Sequence, residues 1–373
     1  MIKVGITGQS GFIGTHLFNF LNLQKEITTV PFSDSFFNSK ELLREFVGSC
    51  DAIVHLAAMN RHGDPQVIYD TNLKLVGSLI EALEETGARP HILFSSSTQE
   101  TRDNMYGKSK YEGRMLLEQW AIRNDARFTG FVIPNVFGPF GNPFYNSVVA
   151  TFCHQLTHDE VPRIENDADL NLIYVNELVE LFRNKITDPG VETVSRFDVP
   201  ATAFVRVSQI LETLRTYKTD YLENNAVPQL NDSFSINLFN TFRSYIDNRN
   251  HFPVFLKKNM DNRGSFIETV RTSTGGQFSF STTNPGITRG NHFHTRKTER
   301  FVVIRGEAVI RLRRIGTDEV LEFSLNGDNP SFVDMPVWYT HNITNTGKDE
   351  LLTLFWINEF YNPDDPDTFF EEV

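Results

Sequence analysis

Cysteine is scarce: Cys50 and Cys153 are the two in 373 residues, and they stand in unrelated contexts. That leaves a disulfide framework or a thiolate metal site without support. No apolar run reaches the ~20 residues that a membrane-spanning helix needs. Basic residues are outnumbered, 35 against 47 acidic ones, for a net charge of −12. Nucleic acid and anionic membrane are therefore poor partners. An anionic small molecule could bind only through a local cluster of arginines and backbone N–H groups. The chain enters a strand pattern directly at Met1-Ile2-Lys3-Val4, which leaves no room for a signal peptide. A cytoplasmic location is expected.

Phenylalanine is abundant, at 33 residues, and points to well-filled mixed or β-rich cores. The length suits two domains. Through the first two-thirds, short apolar runs alternate with helical patterns. Ile2–Thr7, "AIVHLAA" (Ala52–Ala58) and "HILFSSS" (His91–Ser97) read as strands. Gly11–Leu23 and "NLKLVGSLIEALEE" read as helices. This alternation predicts an α/β domain with a parallel, doubly wound sheet over residues 1–243. A polar connector is expected over 244–252, in the stretch "SYIDNRNHFP" that ends at Pro253. From 253 to 373 short β-branched and aromatic runs punctuated by Gly, Asn and Pro predict an all-β barrel or sandwich.

Gly8, Gly11 and Gly14 in "TGQSGFIG" lie between a predicted strand and a predicted helix. Such a turn lets backbone N–H groups approach a pyrophosphate resting on the helix N-terminus. Downstream, Tyr106 and Lys110 are four residues apart, one helical turn, and so share a face. A lysine ammonium beside a phenol is expected to lower its pKa from about 10. A tyrosine so tuned can protonate a ketone oxygen as hydride reaches the carbon. A serine from the preceding strand end can hold that oxygen.

These features, with "HLAA" after its strand, Asn72 and "PNVFGP", resemble the extended short-chain dehydrogenases/reductases. The resemblance implies a Rossmann fold. It implies cofactor contacts at Gly8, Gly11, Phe12, Ile13, Gly14, Leu56, Ala57, Ala58, Asn72, Tyr106 and Lys110. Ser97 would be the catalytic serine, with Ser96 as its rival, and Asn135 would lie near a substrate diphosphate. Two features depart from the family. Phe131, Val132 and Ile133 stand where a basic residue often precedes the Asn of "NVFGP". The second strand ends in "TTVPF" without an acid to read a ribose 2′-hydroxyl, and Asp34 comes slightly late. NADPH is the expected cofactor.

A second chemistry lies in "GITRGNHFHTRKTERFVVIRG", Gly286–Gly306. His292 and His294 share one face of a strand, Glu299 can return beside them after a turn, and His341 opens a later strand pattern. Three imidazoles and a carboxylate suit Zn, Fe, Ni or Mn; zinc is the expected ion of one divalent site. The spacing resembles the first motif of the cupins, which implies a C-terminal cupin barrel. The second motif matches in part: Trp338 replaces its usual glycine. Cupins often pair, so a homodimer is expected. "DNRGSF" and "GITRGNH" resemble stretches of the dTDP-4-keto-6-deoxyhexose epimerases. By that likeness Arg263 and Arg289 bind the nucleotide diphosphate and His292 acts as a base.

A ketone at C4 of a sugar acidifies C3 and C5, and reduction at C4 removes that acidity, so epimerisation must come first. The two domains in this order resemble bifunctional enzymes of capsular polysaccharide synthesis. That implies a UDP-sugar substrate: a UDP-4-keto-6-deoxy-N-acetylhexosamine is epimerised at C3 and then reduced at C4. The alternative is a keto-sugar reductase whose cupin serves as a sugar-nucleotide sensor or dimerisation module.

Overall fold

The computed structural model describes the chain apart from Phe252, Pro253, Phe255, Thr295, Arg296, Gly316, Pro330, Val337 and Trp338, and apart from the side chains of Arg249 and Arg314. It divides into two units. The first comprises Met1–Arg215 and Asn231–Ile246, and the second Thr216–Leu230 and Asp247–Val373. The final crossing falls inside the connector expected at 244–252. The earlier excursion, 216–230, differs from the division read from sequence texture. It has a local cause. Helix Val207–Tyr217 runs on into the turn Lys218–Glu223, and the strand after it, Ala226–Val227, pairs in parallel with Arg271 and Thr272.

In the first unit, β1 (Ile2–Thr7), β2 (Ile27–Val30), β3 (Ala52–His55), β4 (His91–Ser97), β5 (Phe128–Ile133) and a further strand, Val194–Asp198, form one parallel sheet. Their order is β2-β1-β3-β4-β5 followed by Val194–Asp198. Helices α1 (Phe12–Leu21), α2 (Lys40–Gly48), α3 (Pro65–Thr86) and α4 (Met105–Asn124) join these strands. The central strands are buried on both faces, which is why they read as continuous apolar runs. One core packs Val4, Ile6, Leu17 and Phe131 against Phe182, whose ring stacks on Phe131 at 4.2 Å between centroids. The other packs Leu43, Phe46, Leu79 and Phe94 with Trp120. β3 stops at His55, three residues before the expected Ala58. The side chain of Asn72 explains this: it accepts from Met59 N and donates to Met59 O, capturing the backbone that would otherwise continue the strand.

The second unit is all-β. One antiparallel sheet contains Gly264–Thr272, Gln277–Thr283, Leu351–Ile357, Glu299–Arg305 and Phe332–Met335, side by side in that order. Another runs Val320–Asn326, Glu307–Arg314, Tyr339–Asn345, Thr288–Phe293 and Phe369–Phe370. Val303, Ile310, Leu312, Met335 and Ile343 fill the core. Among the described residues no helix is long and apolar enough to cross a membrane.

Candidate functional sites

The carboxyl ends of β1, β3 and β4 open onto a cavity of about 610 Å³ in the first unit. Gly8 turns the chain at φ +69°, and a Cβ on Gly14 would stand 2.2 Å from Gly8 O, so the turn tolerates only glycine at Gly14. Helix α1 begins behind Gly11, which has no side chain to cap it. Its first N–H groups therefore face the cavity as donors. Phe12, Ile13, Leu56 and Ala58 line the same space, as does Asn135. Ala57 and Asn72 do not. Ala57 is held through its backbone N–H to Thr7 Oγ1, and Asn72 is buried behind the loop that it pins. They support the wall and do not form it.

Tyr106 and Lys110 sit in the first turns of α4, started by Asn104, whose side chain accepts from Gly107 N. Both line the cavity. Lys110 is 4% exposed, and its Nζ donates to Ser95 O at 2.8 Å. Burial drives Lys110 down from 10.5 to about 8. Burial likewise pushes the Tyr106 phenol up to about 12, with Tyr145 adding to the rise. This is opposite to the lowering expected from its lysine neighbour. The reason is geometric: the ammonium is committed to the Ser95 carbonyl and lies 5.8 Å from the Tyr106 ring centre, so desolvation of the phenolate wins.

The serines divide. Ser96 Oγ donates to Glu100 Oε1, whereas Ser97 Oγ accepts from Gln99 N and keeps its proton for the cavity. Sequence reasoning missed Asn60, Gln99, Asn142, Tyr145 and Asn146 on the cavity wall. The run "GNPFYN" carried the only signal, a polar and aromatic turn directly after "NVFGP".

In the second unit the four predicted ligands converge. One ligand atom from each of His292, His294, Glu299 and His341 lies within 4.8 Å of the others. His292 pairs in register with His341, next to a bulge at Asn291 with φ +61°. Glu299 arrives from the other sheet. His294 Nδ1 faces Asp367 O at 2.5 Å, and His341 Nδ1 faces Tyr339 O at 3.3 Å. A carbonyl only accepts, so each Nδ1 carries the proton. A ring without a second proton presents an Nε2 lone pair to Glu299 Oε2, which lies at 3.5 Å from His294 and 3.1 Å from His341. All three atoms are buried without an aligned hydrogen-bond partner. Lone pairs converging on a carboxylate require a cation or a proton between them. Burial opposes the Glu299 charge; where a proton fills the gap instead of a cation, hydrogen bonds and charge from the protonated His294 and His341 hold the acid well below the carboxylate range. Burial, reinforced by His341, lowers His292 to about 4, which keeps its imidazole neutral.

A cavity of about 1240 Å³ adjoins this cluster, with His292, His294, Glu299, Arg263 and Arg289 in its wall. Arg263 is clamped by Asp261, and Arg289 donates to Thr282 O and Thr283 Oγ1. No residue pattern pointed to Lys297, 1% exposed, which donates to Pro366 O at 2.6 Å. Nor did any reveal that the C-terminal tail straps the cluster: Asp367 holds both His294 and the Lys297 backbone. Trp338, which stands where the second cupin motif usually has glycine, lies outside the described residues.

Comparisons with known proteins bear on both units. The model of the NAD dependent epimerase/dehydratase family matches residues 4–190. That of the polysaccharide biosynthesis C-terminal domain matches 259–369. The chain is 34% identical, over 99% of its length and 98% of the relative's, to UDP-2-acetamido-2,6-beta-L-arabino-hexul-4-ose reductase of Pseudomonas aeruginosa. The capsular polysaccharide assembling protein CapF from Staphylococcus aureus superposes over 100% of both chains, with a TM-score of 0.87 and 35% identity. The fold of the first unit is shared with RMD from Pseudomonas aeruginosa, solved with NADPH, at a TM-score of 0.53 and 19% identity over 59% of this chain and 84% of that one.

The burial of Lys110 generates a stability prediction. Its folded pKa of about 8 lies below the ordinary 10.5, so the charged form weakens the folded state below pH 8. That cost fades as the pH rises from 8 towards 10.5. Lys110→Met should raise the unfolding free energy at pH 7 by about 1–3 kcal/mol after loss of the Ser95 hydrogen bond, and with it the midpoint. The gain should shrink in melts at pH 9 to 10. An unchanged or lowered midpoint at pH 7 would count against it.

Proposed function

This chain belongs to the NAD dependent epimerase/dehydratase family, and from that premise we propose that it is a bifunctional nucleotide-sugar enzyme of polysaccharide biosynthesis. Its second unit, read as a cupin, epimerises a UDP-4-keto-6-deoxy-N-acetylhexosamine at C3. Its first unit then reduces the ketone at C4 with NADPH. The product is a UDP-N-acetyl-6-deoxytalosamine, a precursor of UDP-N-acetyl-L-fucosamine. The name of the Pseudomonas reductase, matched along almost the whole chain, supports a UDP-linked 4-keto sugar bearing a 2-acetamido group. The observation that carries the reduction step is the single cavity shared by the glycine turn, Ser97, Tyr106 and Lys110.

The nicotinamide cofactor supplies hydride when bound. The rest falls to the chain. Ser97 donates its free O–H to the ketone oxygen and orients it. Tyr106, kept protonated by burial, delivers the proton that the developing alkoxide needs. Lys110 keeps a charged N–H in the cavity wall to bind the cofactor ribose and favour the phenolate that Tyr106 leaves behind. The open N-terminus of α1 receives the pyrophosphate.

In the second unit, the donor set of three imidazoles and one carboxylate fits one divalent ion, zinc in this reading, which would act as a Lewis acid and hold the strands together. His292 faces the cavity as a neutral imidazole and serves as the fourth ligand or, if His294, Glu299 and His341 hold the ion without it, as the base, while Arg263 and Arg289 bind the diphosphate.

Replacing Tyr106 by Phe should leave cofactor binding intact, as followed by fluorescence titration, and lower ketone-dependent NADPH oxidation roughly 100- to 10,000-fold. Turnover near wild type would remove Tyr106 from the mechanism.

The cofactor admits a second reading, NADH, favoured by one contact. Ser10 Oγ on the glycine turn donates to Asp34 Oδ2 at 3.1 Å, which brings an acid beside the turn after all. NADPH binding requires exposed Asp34 to swing towards solvent. Measured kcat/KM should favour NADPH over NADH, and a clear NADH preference would assign the ribose to Asp34.

For the second unit, deuterium uptake at C3 from heavy water, without cofactor, should proceed in the native enzyme and stop after chelation. Reduction of a pre-epimerised ketone should survive chelation. Absence of exchange in the metal-loaded protein would favour a sensor or dimerisation role instead. His292→Ala that loses exchange but keeps its metal would make His292 a base and not a ligand.

A further inference from the structure

We infer that the buried Glu100–Arg114 ion pair is a positioning element of the reduction site, which fixes the turn between Ser97 and Tyr106 and leaves Ser97 as the serine with a free O–H. The inference rests on the reductase reading above. Ser97 ends β4 and Tyr106 is the second residue of α4, and the connection between them makes the tight turn Thr98–Thr101. Nothing in that turn is apolar, so the hydrophobic core cannot hold it. Glu100 does. Arg114 grips its carboxylate as a fork, Nε to Oε1 at 2.8 Å and Nη2 to Oε2 at 3.1 Å. The two side chains are only 7% and 4% exposed.

Two charges placed this deep are retained at a cost in desolvation, and hydrophobic residues of similar volume would often serve stability equally well. What they add is direction. The same carboxylate oxygen that meets Arg114 Nε accepts the Ser96 hydroxyl. Ser96 is thus committed, while Ser97 Oγ accepts from Gln99 N and its proton stays available.

Two glycines lock the clamp from either side. A Cβ on Gly107 would stand 2.0 Å from Gln99 O, so the turn lies directly on α4 one residue beyond Tyr106. A Cβ on Gly130 would stand 2.7 Å from Arg114 Cδ, so the arginine stem lies directly on β5. Arg114 also donates to Glu118 one turn further along α4, which prevents it from swinging out with the turn. The pair therefore ties strand end, turn and helix to one carboxylate.

The test compares Arg114→Lys, Glu100→Gln and the double variant Glu100→Met/Arg114→Met in the full chain. The probe is the UDP-linked 2-acetamido-4-keto sugar named above. Unfolding midpoint, KM for NADPH and for the ketone, and kcat are measured for each. A positioning role predicts kcat lower by roughly 10- to 100-fold in all three, with both KM values within about twofold of wild type. The double variant should recover much of the midpoint lost in Glu100→Gln without recovering the rate. A double variant that regains rate and midpoint together would show a merely structural pair and overturn the inference. Should the double variant not fold, Arg114→Lys decides alone: it keeps the charge and loses the fork, and wild-type kcat there would also overturn it. Inactive wild type on this ketone would sink the reductase reading itself, whereas active wild type with unaffected variants would sink only the inference.

Discussion

The charge on Lys110 is almost wholly buried, and the first unit is arranged to hold it. Its ammonium binds the Ser95 carbonyl and lies 5.2 Å from the centre of the Phe94 ring. For a side chain on α4 to reach the end of β4, the helix must lie close upon the sheet. The buried face of α4 accordingly carries Gly107, Ser109 and Gly113. A Cβ on Gly113 would already stand 3.2 Å from both Phe94 and Val76. The tethered lysine fixes where α4 begins, and so where Tyr106 points. The raised phenol pKa follows from the same closeness, since the packing that buries the lysine also buries much of the tyrosine.

The second unit meets the converse constraint. There an acid is buried, and imidazoles from separate strands converge on it. In both units a polar cluster sits where apolar packing alone would be cheaper, and in both the backbone supplies the fixed points: Ser95 O in one, Asp367 O and Tyr339 O in the other. Carbonyls set the tautomers of His294 and His341, and the tautomers decide that the remaining nitrogens face Glu299.

Much of this was legible in the residues. β1 and β4 have the expected bounds because their apolar runs are buried on both faces, and the glycine turn announced itself because Gly8 and Gly14 meet at backbone contact. The His-x-His pair and Glu299 were legible from spacing. Helix α4 was harder to see, since it buries Ser109, Lys110 and Arg114 beside Leu117 and Trp120 and so blurs the apolar period. The end of β3 depended on Asn72, seventeen residues beyond His55, and no local pattern carries that contact. The Tyr106 pKa depended on burial, which spacing does not report. The tail escaped because "NPDDPDTFFEEV" is loop-like in composition, and its order comes from partners some seventy residues away.

The excursion of Thr216–Leu230 into the second unit makes the chain cross between units three times. Glu223, Asn224 and Asn225 of that excursion line the second cavity, and Val227 O accepts from Ser273 N. The two units are interlaced and cannot be parted as beads on a string. A proteolytic nick near residue 247 would leave a C-terminal fragment without part of its own cavity wall. It would also leave an N-terminal fragment carrying a strand that belongs elsewhere. Recombination between genes could exchange these units cleanly only with two joints and a transplanted segment. The interlacing therefore favours inheritance of both units as one piece.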